Sequence, residues 1–90
     1  VTVNTTTSSI TIVVNAEDME SGISLYEYSI DNGQTYEKGN TNTKTINNLE
    51  KKDYKVKVKV YNGTYGKDNY SEATGMSEYE VEDIIKLKDI

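Results

Sequence analysis

Three tyrosines, Tyr61, Tyr65 and Tyr70, stand among Asn62-Gly63-Thr64 and Gly66-Lys67-Asp68-Asn69. Tyrosine supplies rigid, amphipathic contact area, and Asn and Gly supply adaptable hydrogen bonding. Together they make the chemistry of a binding loop for a sugar ring or a protein surface. Against that, tyrosine is the only aromatic type in the chain, and strand ends favour it. A second cluster, Glu17, Asp18 and Glu20, gathers carboxylates of the kind a calcium ion collects. It lacks the alternating Asp spacing of a calcium-binding helix–loop–helix, so a charged, solvated loop is the reading taken over a metal site. The third concentration is cationic: Lys51, Lys52, Lys55, Lys57 and Lys59. It has no arginine and no interleaved aromatics on its own face, which argues for the outer side of a strand rather than a nucleic-acid patch.

What the chain lacks narrows the chemistry further. With no histidine and no cysteine among 90 residues, the commonest general base, the commonest metal ligand and the thiolate nucleophile are missing. Serine and threonine are plentiful but have no such base beside them. A Ser–Lys pair, or a Lys–Asn isopeptide cross-link, requires a buried lysine, whereas these lysines alternate outward. Ten Lys against fifteen Asp plus Glu give a net charge of −5, which disfavours a phosphate backbone as partner. The longest apolar run is Ile12-Val13-Val14, too short to insert in a membrane. The expectation is therefore a chain that is not an enzyme and takes no cofactor and no metal.

The elements that must position these residues have a period of two. Ile10, Ile12 and Val14 alternate with Thr11 and Asn15; Tyr26, Tyr28 and Ile30 alternate with Glu27 and Ser29. In the clearest stretch, Tyr54, Val56, Val58 and Val60 alternate with Lys55, Lys57 and Lys59. Successive strand side chains point to opposite faces, so this segment builds one apolar wall and one cationic wall. Turn signals separate such runs, notably Asn32-Gly33, which tolerates the positive φ of tight hairpins. Seven strands are predicted, near Thr2–Asn4, Ser9–Ala16, Ser24–Ile30, Thr35–Lys38, Thr43–Ile46, Tyr54–Tyr61 and Tyr70–Met76. The spacing is that of an all-β sandwich, and no helical pattern interrupts it. Tyr26, Tyr28 and Tyr54 are the predicted bulk of the core, joined by Ile10, Ile12, Val14, Ile30, Ile46, Leu49, Val56, Val58 and Val60. Residues 77–90 carry two signals. Ser77 and Glu80 have capping-box spacing for a short helix, while Ile85 and Leu87 alternate as in an extended linker. The division expected is a sandwich over 1–76 followed by a linker or short helix over 77–90.

The segment Leu49-Glu50-Lys51-Lys52-Asp53-Tyr54-Lys55-Val56 resembles the corner that opens strand F in fibronectin type III and related immunoglobulin-like domains. Glu20 through Tyr36 is similar to strand C and its hairpin in bacterial modules of that kind. The resemblance covers residues 1–76. It implies a seven-stranded immunoglobulin-like sandwich in which the hydroxyl of Tyr54 bonds back to upstream backbone. Leu49 and Val56 are its structural companions, and Tyr61–Ser71 is the F–G loop. Such domains carry no catalytic residue.

A chain rich in Lys, Asn, Ile, Thr and Tyr, beginning at Val1, suggests a fragment of a larger bacterial protein. The expected role is a spacer or adhesion module of a secreted or cell-surface multidomain protein, with neighbouring domains of the same chain as its partners. The alternatives are a carbohydrate- or protein-binding module using the tyrosine loop, and an accessory domain of an extracellular hydrolase.

Overall fold

The computed structural model describes residues 1–15, 25–62 and 75–89. Its strands are β1 (Thr2–Thr5), β2 (Ile10–Val13), β3 (Leu25–Ser29), β4 (Glu37–Gly39), β5 (Thr43–Ile46), β6 (Asp53–Tyr54), β7 (Lys57–Asn62), β8 (Gly75–Glu80) and β9 (Ile85–Lys86). There is no helix among the described residues. Every strand pair is antiparallel, in a three-stranded sheet β1-β2-β5, a four-stranded sheet β4-β3-β7-β8 and a short pair β6-β9. The described residues are all-β, in an arrangement consistent with a β-sandwich.

Alternation decides which side of each strand turns inward. Ile10 and Ile12 from β2, Tyr26 and Tyr28 from β3, and Val58 and Val60 from β7 join Val14, Tyr54, Val56 and Leu87 in one buried cluster. Fully burying a side chain of this size contributes about 1.5–3 kcal/mol, so ten of them carry a domain this small. The two tyrosines of β3 lie nearly parallel, ring centroids 5.9 Å apart. Gly39 lets the Tyr28 ring pass: a Cβ there would sit 3.3 Å from its Cε2. The phenol of Tyr28 donates to the Thr41 carbonyl at 2.7 Å. Burial, with Tyr26 adding, pushes its acidity far below that of a free tyrosine.

The corners are built from polar residues that satisfy one another. Thr6 and Ser9 share a 2.6 Å hydroxyl contact, and the Thr6 amide donates to the Ser9 carbonyl, closing the turn between β1 and β2. That turn's Ser8 and Thr6 carbonyls then accept from the amides of Leu49 and Lys88. Beside Leu49, Asn48 takes a left-handed φ of 60°, and the Tyr54 hydroxyl donates to the Glu50 carbonyl at 2.6 Å.

The C-terminal end differs from expectation. Residues 77–80 are strand, not the first turn of a helix, and the boundary anticipated at residue 76 falls inside β8. Lys57 pairs with Glu80 and Val58 with Tyr79, which puts Tyr79 against the core and Glu78 and Glu80 outside. Partnership with β7 decides a segment whose local signals were divided. Leu87, absent from the predicted core, is 95% buried, because β9 folds back on β6 and seats it there. Ile46, by contrast, is only half-buried near the end of β5. Of the strand expected over Tyr70–Met76, only its last two residues are described, and both belong to β8. The predicted single strand Tyr54–Tyr61 divides at Lys55–Val56, where the chain leaves β9 and joins β3; Lys55 exchanges backbone hydrogen bonds with Ile30 and Asn32 across that break.

Tyr54→Phe keeps the ring and deletes only the donor to Glu50. It is expected to lower stability by about 0.5–1.5 kcal/mol, read from the urea midpoint at unchanged slope. An unchanged midpoint would show that the hydroxyl does not hold this corner.

Candidate functional site

Of the predicted binding trio, Tyr61 is described and lies on the outer face of the four-stranded sheet. Tyr65 and Tyr70 fall outside the described residues, as do Glu17, Asp18 and Glu20. Tyr61 stands in register between Leu25 of β3 and Met76 of β8, and its hydroxyl donates to Glu27 Oε1 at 2.6 Å. The next row crosses all four strands as Lys38, Glu27, Lys59 and Glu78, alternating in sign. Opposite charges facing across strands contribute roughly 0.2–1 kcal/mol a pair, so this face is a self-neutralising lattice.

The lysines expected to form a cationic wall are engaged within the chain. Lys57 lies 3.7 Å from Glu80, and Lys59 sits over the Tyr36 ring, 4.5 Å from its centroid. Burial, followed by Glu78, pushes the Tyr36 phenol above its ordinary value. Lys55 donates to the carbonyls of Val81 and Glu82. Lys51 bonds Lys88 and Asp89, and Lys52 stands 5.6 Å from the Tyr54 ring centre.

A second feature is the turn after β3. Asn32 and Gly33 have φ of 62° and 88°, the two positive values that a type I′ turn requires. Ser29, itself 99% buried, donates to Asp31 Oδ1 at 2.7 Å and accepts from the Gly33 amide at 2.9 Å. Thr35 donates to Asp31 through both its amide and its hydroxyl. Burial opposes ionisation of Asp31, but the Thr35 hydroxyl and amide, the Ser29 hydroxyl and the residue's own amide outweigh it and hold the carboxyl below its ordinary value. The Asn-Gly signal located this turn in the sequence. The regular spacing Ser29, Asp31, Gly33, Thr35 is the signal that would have revealed its locking side chains.

Beside the turn lies a groove of about 330 Å³ with Ile30, Leu49 and Tyr54 as its apolar lining and Asp31, Glu37, Lys52 and Asp53 as its charged lining. Leu49 is half-buried and Val56 fully buried, so Leu49 lines the groove while Val56 belongs to the core. Each carboxylate has a partner: Asp31 within its turn, Glu37 with Lys44 at 3.9 Å, and Asp53 with Lys86 at 2.7 Å. No group of three potential metal ligands occurs among the described residues. No protein-family model, curated protein or solved structure matches the chain.

A carboxyl held low in the folded state contributes stability above its unfolded value, near 3.9, and that contribution is lost as pH falls through the folded value. Thermal melts from about pH 6 to about pH 2 are therefore expected to fall more steeply below about pH 4 for the wild type than for Asp31→Asn. Parallel curves would remove Asp31 from the acid response.

Proposed function

We propose that this chain is a seven-stranded immunoglobulin-like, fibronectin type III-like sandwich with one added strand pair. We propose further that it serves as a non-catalytic spacer in a larger bacterial secreted or cell-surface protein. The strand orders β1-β2-β5 and β4-β3-β7-β8 support the first part, as does the Tyr54 hydroxyl bonded to Glu50 at the corner. The placement of the chain's two ends carries the second. β1 runs from Thr2, opposite Val13, to Thr5, opposite Ile10, and just past it the Thr6 carbonyl accepts the Lys88 amide at 3.0 Å. Residue 1 and residue 88 therefore lie at opposite ends of the first strand. Modules with such ends join in a line without needing a binding site. Tyr61, whose hydroxyl is committed to Glu27, favours this role over a ligand platform at that residue.

Two copies joined head to tail in one chain provide the test, read by small-angle X-ray scattering. The spacer reading expects a maximum dimension approaching twice the 43 Å long axis of one copy. A dimension little beyond one copy, with the two packed side by side, would overturn it. The same sample on a glycan array separates spacer from lectin, since reproducible glycan capture abolished by Tyr61→Ala would establish the binding module instead.

A further inference from the structure

We infer that residues 81–89 form a latch, a strap that seals one end of the core and comes away as a unit while both larger sheets stay intact. The strap crosses the sandwich end rather than extending a sheet. Its one ladder, β6-β9, has two residue pairs, against six for β7-β8 and five for β3-β7. A single fully seated side chain, Leu87, anchors it, helped by the half-buried Val81 and Ile85. Two backbone bonds pin its ends, Val81 to Val56 and Lys88 to Thr6, both at 3.0 Å.

One half-buried lysine, Lys55, also holds the strap's start through the carbonyls of Val81 and Glu82, and the side-chain pairs further along lie in solvent. Lys86 and Asp53 are 71% and 58% exposed, and Asp89, paired with Lys51, is 91% exposed. Exposed pairs of this kind are weak singly and screened by salt, so together they add a modest, salt-sensitive hold. Between the two pins, Glu82, Asp83 and Ile84 are all exposed, so the stretch leading into β9 has no packing of its own. Regions with few buried contacts and solvent-accessible hydrogen bonds open at lower free energy than a core ladder. β8 keeps its own pairing with β7 when the strap leaves, so the two sheets do not need to follow. Closed, the latch pins the departing chain against the first turn of the domain. Open, its nine residues can extend to about 30 Å in all, of which the closed strap already spans part. In a string of modules that difference would set the stiffness of the joint, a use that rests on the spacer reading; the latch itself does not.

Hydrogen exchange on the intact 90-residue chain tests the latch independently of any spacer role. The amides of Val81 and Lys88 are expected to exchange at least about tenfold faster than those paired between β3 and β7, and faster again at high salt. Leu87→Ala should widen that gap. Because this variant also removes a core side chain, Lys51→Ala with Lys86→Ala is measured beside it, and should speed the latch amides alone. One common rate for latch and β7 amides, at low and high salt and in the double variant, would overturn the inference.

Discussion

A core without Phe, Trp or Cys has to take its bulk from tyrosine, and every buried tyrosine brings a hydroxyl that needs a partner. That constraint reaches well beyond the core. Tyr28 fills the space under Gly39 and finds its acceptor at Thr41, which ties the link between β4 and β5 to β3. Tyr54 does the same for the approach to β7 through Glu50. In each case the ring supplies apolar area while the phenol fixes a carbonyl in a connecting segment. Loops that a phenylalanine core would leave to their own turn chemistry are here dictated from inside.

The outer surface answers to a different requirement. Lysines opposite one another on adjacent strands would repel, so the four-stranded sheet alternates sign across its strands and lays Lys59 on the Tyr36 ring. Long lysine stems also cover apolar surface while keeping their ammonium groups wet, which explains why Lys55, Lys57 and Lys59 are half-buried on the face away from the core. These lysines point away from the core, as their alternation dictates, but they do not form a bare cationic wall. Each finds its partner on another strand or on the C-terminal strap.

That contrast marks how far the sequence reaches. Thr43–Ile46 was legible to the residue, and so was the inward set Val56, Val58 and Val60, because alternation is a local property. The positive-φ turn at Asn32-Gly33 was legible for the same reason. Ser77 to Glu80 was not, since a serine three residues before a glutamate caps a helix as readily as it alternates along a strand. Tyr79 and Val81 between glutamates held the period-two signal, but only the register with β7 gives it force. Leu87 was illegible in a stronger sense: its seat exists only once β9 meets β6 and Lys88 meets Thr6. The bond from Tyr61 to Glu27 likewise joins two strands 34 residues apart in the chain, with no local trace in either.

The bond from Lys88 to Thr6 joins the last described segment to the turn after the first strand, so the ends of the fold stabilise each other. The Thr6 turn that accepts it is already closed on Ser9 and already holds Leu49 through Ser8. Three parts of the chain, near residues 6, 49 and 88, thus converge on one polar corner joined by backbone hydrogen bonds and by the Thr6–Ser9 hydroxyl contact rather than by a disulfide. A chain of this size buries a modest fraction of its surface, and such a corner lets it order its departing segment without enlarging the core. The consequence is directional: where residue 89 points is set by the position of β1, because both are fastened to the same turn.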